Sequence, residues 1–387
     1  ESNAQNKYRM GSAFSSDTSK INSIIRKGND YSIKGVMEQA LEAATKAQLY
    51  SEKIGYKKGI ALSFNLRGRI LYRKGDYDSS IVVLKSAFKL SQELNDSSLL
   101  SSTYLNLGNA QAYQGNNAAA IQYFYKGLVI EEKLSPQPNL QWFFNNMGTV
   151  FTNQKEYQKA LQYTAKAILE AKRNKNTKTV GMIFSNRGWI YMLLNKNDSA
   201  LYSLEEAAKI SEKSNDMYTL VLSLGNLAEL YIRLKKYDKA YQYSYRSYKL
   251  SQQQNYKDQM AGSLITFGSI NIELGKYKDA EKYLMKGLNL SRQIENKSLI
   301  KDASLLLATL YEKEQDFKNA YEYYKLFSIT KDTMLNQENS KLITEMNTKY
   351  TTEKKEKEIE LLKKNEDIQK LELAKKKNEL EKQRRIS

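Results

Sequence analysis

A small residue recurs every forty positions along this chain, at Gly28, Gly68, Gly108, Gly148, Gly188, Ala228, Gly268 and Ala308. A second small column runs through Ala40, Ser80, Ala120, Ala160, Ala200, Ala240, Ala280 and Ala320, and a third through Ala47, Ala87, Gly127, Ala167, Ala207, Ser247 and Gly287. Three columns in one register mark the forty-residue unit as the element that folds. Small side chains at fixed points let two antiparallel helices approach closely, while larger apolar residues three and four positions away fill the space between hairpins. One hairpin cannot bury both of its faces, so copies stack. The pattern predicts an all-α chain, a right-handed solenoid of about eight helical hairpins with a degenerate first unit, followed by a long C-terminal helix.

The expected divisions are residues 1–20 as an N-terminal segment open to disorder, 21–335 as the solenoid and 336–387 as a charged helix. Composition agrees with helix: the 387 residues include only two prolines, Pro136 and Pro138, placed where a loop between hairpins is expected. Cysteine and histidine are absent, which excludes thiolate nucleophiles, Cys/His zinc sites and imidazole acid–base chemistry. No glycine-rich phosphate loop and no nucleophile with a base stand outside the repeat pattern. The chain is therefore read as a non-enzyme with no cofactor, no metal and no small-molecule substrate. A net charge of +18 admits a polyanionic partner, but the lysines are scattered among acids, which disfavours nucleic acid. No apolar run reaches the roughly 20 residues that span a bilayer.

The stretch Tyr104–Leu128, YLNLGNAQAYQGNNAAAIQYFYKGL, resembles the tetratricopeptide repeat, whose pattern runs aromatic, Leu-Gly, Tyr, Gly-x-Tyr, Ala, aromatic, Ala. Gly75-Asp76-Tyr77, Lys155-Glu156-Tyr157, Lys236-Tyr237, Gly275-Lys276-Tyr277 and Asp316-Phe317 carry the same turn into the second helix of a hairpin. The likeness covers about residues 20–335. It departs from the family in its period, forty against the usual ~34. It implies protein or peptide binding in an inner groove lined by the first helix of each hairpin. The residue two before the Gly column then faces a bound segment, and here that column reads Leu66, Asn106, Asn146, Asn186, Asn226, Thr266 and Leu306. An amide both donates and accepts, so a ladder of four asparagines can hold an extended peptide whatever its side chains; the same asparagines can equally bond a neighbouring helix. Arg69, Arg73, Tyr113, Trp142, Trp189 and Arg233 map to the same face, and the chain's only two tryptophans are among them. Tyr123, Tyr163, Tyr243, Tyr283 and Tyr323 share a column where a ring packs between helices with its hydroxyl toward water.

Beyond about Leu335 the period stops. Ile359, Leu362, Leu373 and Leu380 form a thin apolar stripe among Lys and Glu, which points to a homodimer through this helix or to a solvated lever. The segment around Lys331-Asp332 and Thr348 to Glu360, TKYTTEKKEKEIE, with the basic end Lys382 to Arg385, resembles the linker of bacterial membrane signalling proteins. In those a repeat array precedes a membrane helix and then a histidine kinase or LuxR-type domain. That resemblance implies an extracytoplasmic (periplasmic) sensor region of a larger membrane protein, with a cytoplasmic peptide-sensing scaffold as the alternative.

Overall fold

The computed structural model describes residues 2–33, 36–134 and 139–332, with side chains from residue 15 onward. Among the described residues sixteen helices form eight hairpins in a solenoid. The first four hairpins are α1 (Ser2–Ile33) with α2 (Met37–Lys53), α3 (Lys57–Lys74) with α4 (Tyr77–Glu93), α5 (Ser97–Gln114) with α6 (Asn117–Leu134), and α7 (Leu140–Asn153) with α8 (Tyr157–Arg173). The last four are α9 (Thr177–Leu193) with α10 (Asn197–Lys213), α11 (Met217–Arg233) with α12 (Tyr237–Gln254), α13 (Lys257–Glu273) with α14 (Tyr277–Gln293), and α15 (Lys297–Lys313) with α16 (317–332). No strand occurs among the described residues. α1 starts at Ser2, so the segment for which disorder was open is helical from there on; no proline interrupts it. All of this lies in one compact unit, Glu1–Met334. The charged helix expected over 336–387, its stripe and its basic end lie outside the described residues.

Why the period is forty is written in the turns. Residues at twenty-residue steps adopt the left-handed conformation: Gly55, Gly75, Asn95, Gly115, Lys155, Lys175, Asn195, Asn215, Lys235, Asn255, Gly275, Glu295 and Gln315. Around Asn95 its N–H bonds Gln92 O at 3.0 Å and the Asp96 N–H bonds Ser91 O at 3.1 Å, the paired bonds of a Schellman motif. The same Asp96 then caps the next helix, its carboxylate accepting from the Leu99 N–H at 2.9 Å. One residue stops a helix and its successor starts the next. Turns within and between hairpins are thus alike, and most half-units are a helix of 17 residues with a three-residue link or one of 18 with a two-residue link.

The small columns act as predicted. A Cβ placed on Gly68 would lie 2.4 Å from Leu84 Cγ, on Gly108 2.4 Å from the Phe124 ring, on Gly188 2.5 Å from Leu204 and on Gly268 2.4 Å from Leu284. Each fully buried partner sits sixteen residues later, on the second helix of the same hairpin. The sixth hairpin inverts the pair: Ala228 replaces glycine, and its counterpart sixteen residues on is the small, buried Ser244. Between hairpins the third column repeats the device, Gly127 receiving the Phe143 ring, whose Cε1 lies 2.4 Å from a Cβ placed there.

Odd-numbered helices also touch one another, α1 to α3 and onward to α13 and α15, and they form the inner side of the curve, while the even-numbered helices are joined mainly through them. The tyrosine column is half-buried as expected. Within it Tyr163 stacks on Phe151, Tyr243 on Tyr231 and Tyr323 on Tyr311, with centroids 5.1, 5.3 and 5.5 Å apart.

Candidate functional site

The inner side is a run of polar rungs between successive odd helices. Asn106 Nδ2 donates to Asn65 Oδ1 at 3.0 Å, and Asn65 Nδ2 donates to Thr103 Oγ1 at 2.8 Å. Asn146 Nδ2 donates to Asn109 Oδ1 at 2.8 Å and Asn186 Nδ2 to Asn145 Oδ1 at 2.9 Å. Asn145 Nδ2 also reaches Asn146 Oδ1 at 3.4 Å, which couples the last two rungs. Asn106, Asn146 and Asn186 of the asparagine column therefore each bond a neighbouring helix with one N–H of the amide. Asn106, Asn146, Asn186 and Asn226 are all half-buried, so they keep a face toward the inner side. An amide offers two N–H groups and two lone pairs, and a single rung uses only part of that capacity.

Arginines supply the rungs at both ends. Arg69 bonds Asn29 Oδ1, and Arg73 bonds the Ser32 carbonyl and, at 3.2 Å, its hydroxyl. Arg233 donates from Nη1 to the Met192 carbonyl at 3.3 Å and from Nε to Glu229 at 3.2 Å. Tyr72 lies between Arg69 and Arg73, buried, with the Tyr113 ring stacked on it at 5.2 Å. Burial pushes the Tyr72 phenol up to about 12 against the pull of Arg69, its hydrogen bond with Asn109 and Arg73. Burial likewise pushes Arg69 below its ordinary value, opposed by Tyr72 and assisted by the charge of Arg73. The bond to Asn109 ties the Tyr72 corner to Asn146, so one chain of hydrogen bonds runs from the second hairpin to the fifth.

The apolar anchors are spread along this face. Tyr113 is 54 % exposed and Trp189 39 %, while Trp142 is half-buried. Trp142 stands seven residues before the repeat position of Trp189, which sets them about 10 Å apart along the helix direction at 1.5 Å per residue. Arg69, Arg73, Tyr113 and Asn106 therefore share one stretch of the inner side and Asn146, Trp142, Asn186 and Trp189 the next. Asn226 and Arg233 extend it on α11. Sequence reasoning missed Asn29, Ser32 and Asn65, the acceptors of the first rungs; amides and hydroxyls crowding either side of the Gly column were the available signal. It also missed Tyr218 on α11, whose phenol lies within the electrostatic reach of both Arg73 and Tyr113. Curvature alone brings the second and sixth hairpins that near. Among the described residues no group of three or more acidic side chains could hold a metal ion.

Stacked helical hairpins bonded along one side define a helical-repeat protein. Residues 59–130 and 219–293 match the tetratricopeptide repeat family, and residues 149–233 match anaphase-promoting complex subunit 5. The chain is built of tetratricopeptide repeats. No curated protein matches it. Among solved structures, a Rap protein complexed with competence and sporulation factor is 15 % identical over 82 % of this chain and 99 % of that one, with a TM-score of 0.59. Aspartyl phosphate phosphatase F from Bacillus subtilis is 15 % identical over 81 % and 94 %, also at 0.59. A STAND signal-transduction ATPase with a tetratricopeptide repeat sensor, from Pyrococcus horikoshii, is 17 % identical over 78 % of this chain and 46 % of that one, at 0.56. At these identities the likeness is one of fold. The expected placement as a membrane-attached periplasmic sensor is corrected: among the described residues no helix is long and apolar enough to cross a membrane, and the likeness to the Rap and STAND structures is one of fold.

Proposed function

We propose that this chain is a sensor module that binds a peptide or protein segment along the inner side of its second to sixth hairpins. The observation that carries the reading is the inner column itself: four half-buried asparagines, three of them in rungs between helices, flanked by Tyr113, Trp142 and Trp189, none of which is buried in the core. An extended backbone laid along such amides gains main-chain hydrogen bonds, and half-exposed aromatics act as its anchors. Two Rap proteins of the same fold were solved with bound peptide factors, which favours the same use here. A segment that competes for the amides alters how adjacent hairpins are bonded. In this reading residues 336–387 pass that change onward, and pairing of two copies through them belongs to the output. Repeats of this kind bind rather than catalyse, and no enzymatic role is proposed.

The two tryptophans make the test direct. An array of extended decapeptides is screened, and those that bind are titrated while tryptophan emission is followed. Bound peptide is expected to shift the emission, and Trp189→Ala to weaken binding roughly thirtyfold, the scale of a 2 kcal/mol anchor. Binders that leave the emission unchanged and hold Trp189→Ala and Asn186→Ala equally well place the site elsewhere.

A further inference from the structure

We infer that the outer side of the second to fourth hairpins is a second docking surface, one that takes an acidic amphipathic helix of a partner protein. The side chains exposed there are apolar and basic. Val82 on α4 is 65 % exposed and Leu169 on α8 is 68 %, with Tyr125 and Val129 of α6, each about half exposed, between them. Val129 and Leu169 are forty residues apart and so hold the same place on successive outer helices. Val82 matches Gln122 in the repeat, one turn before Tyr125, so the four make a diagonal stripe and not scattered single residues. The Tyr125 and Tyr163 hydroxyls bond at 2.9 Å and tie α6 to α8. Tyr163 in turn lies against Phe144 and Phe151 of α7, with ring centres 6.4 and 5.1 Å away.

Charge selects the occupant. Lys85, Lys89, Lys126, Lys133, Lys166 and Lys172 are exposed on the same three helices, and among the described residues none of them takes part in an ion pair. Lys166 instead stands 5.3 Å from the centre of the Tyr163 ring. The stretches 79–92, 117–130 and 157–169, the bodies of these helices, contain no acid. Acids at their ends are engaged: Asp78 accepts from Gln114, Glu93 pairs with Lys57, and Glu131 accepts from Ser101 and Asn139. The next outer helix reverses the pattern. On α10 Tyr202 is 63 % exposed, but it shares the helix with Asp198, Glu205, Glu206 and Glu212, and there Glu206 pairs with Lys209 and Glu212 with Arg246. The unpaired basic face therefore has an edge. Exposed lysines cost the free protein little, since water and salt screen them; they decide which partner arrives and how fast. α4, α6 and α8 satisfy their own backbones and present no sheet edge, so the segment that fits also satisfies its own: a helix, apolar on one face and acidic on the other. An anionic lipid surface reads charge but has no register to match a diagonal stripe.

The probes, read on the full chain, are fluorescein-labelled peptides of about 18 residues, five helical turns, and phosphatidylserine vesicles. One peptide carries Leu on one face and Glu on the other, a second replaces Glu with Lys, and a third keeps the Leu/Glu composition with Leu scattered round the helix. The facial Leu/Glu peptide is expected to bind and the Lys peptide not; no binding of the former overturns the proposal. Val129→Gln with Leu169→Gln is expected to weaken it about tenfold and Lys126→Gln with Lys166→Gln about fivefold. The charge-matched pair Lys249→Gln with Lys286→Gln, on exposed positions of α12 and α14, is expected to weaken it less than about twofold. Equal binding of the scattered peptide, or equal weakening by both lysine pairs, overturns the proposal, because the charge of +18 then acts diffusely. Vesicle binding lost on changing Lys126 and Lys166, with the facial peptide held unchanged, assigns the face to lipid and also overturns it. Should Val129→Gln with Leu169→Gln lose its helical signal, Val82→Gln at the other end of the stripe is expected to weaken binding about threefold, and no change there counts against the stripe. Trp189→Ala, on the inner side, is expected to leave this binding within about twofold. A larger loss places the acidic helix in the inner groove and removes the outer site.

Discussion

The second to fifth hairpins and the sixth to eighth share one backbone period but are joined differently on their inner side. In the earlier group, rungs from Arg69, Asn106, Asn146 and Asn186 cross between odd helices. In the later group the same column holds Asn226, Thr266 and Leu306; Thr266 spends its hydroxyl on Gly262 O within its own helix, and Leu306 packs against the cluster of Leu284, Leu307 and Leu310. The interlock of glycine with a large side chain, by contrast, is present in both groups, at Gly68, Gly108 and Gly188 and again at Gly268. Shape complementarity of this kind serves both groups. The asparagine rungs lie where the groove is proposed, so on that reading close packing and recognition draw on different columns.

The interlock is where that division breaks hardest. Gly268→Ala is expected to cost roughly 2 kcal/mol by overpacking against Leu284, seen as a fall in the urea midpoint, while Leu284→Ser added to it recovers part of the loss. Ala228 with Ser244 is the natural form of that double variant, and if Gly268→Ala and Leu284→Ser prove additive the two columns are not coupled.

Rungs come next. Asn186→Ala should cost about 1 kcal/mol and loosen hydrogen exchange between α7 and α9, because Asn145 loses its donor. Asn226→Ala should change stability by less than about 0.5 kcal/mol, as a half-exposed position away from a cross-helix rung. Equal costs at both positions would erase the distinction between the two groups.

The smallest effect tests what they share. Lys155, Lys175 and Lys235 hold left-handed backbone without the freedom of glycine. Lys155→Gly is expected to raise stability by up to about 1 kcal/mol, read as a higher midpoint temperature, with Lys235→Gly matching it in the later group. A gain in one group alone would mean that the turns are not equivalent.

Much of this was legible in the sequence because close helix approach demands small residues at fixed steps, and a demand of that kind leaves columns. Gly68 and Leu84, or Ala228 and Ser244, could be paired from spacing alone. The twenty-residue step was harder to see: a Schellman turn accepts Gly, Asn and, at some cost, Lys, Glu or Gln, so its residues do not look alike. The candidate site was half legible. The Asn column and both tryptophans stood out, yet whether an amide bonds its neighbour depends on the side-chain geometry between stacked units, as with Asn106 and Asn65. The nearness of Tyr218 to Arg73 depends on curvature summed over four hairpins, which no local pattern carries.

The alternation of like turns has a consequence for how such an array changes length. The backbone repeats every twenty residues, but the side chains that decide inner from outer repeat every forty. Inserting a single helix would keep every turn intact and still swap the faces of all that follows. Growth or loss preserves the groove only in whole hairpins, so the span of peptide that such a protein can read is set in discrete steps and not tuned residue by residue.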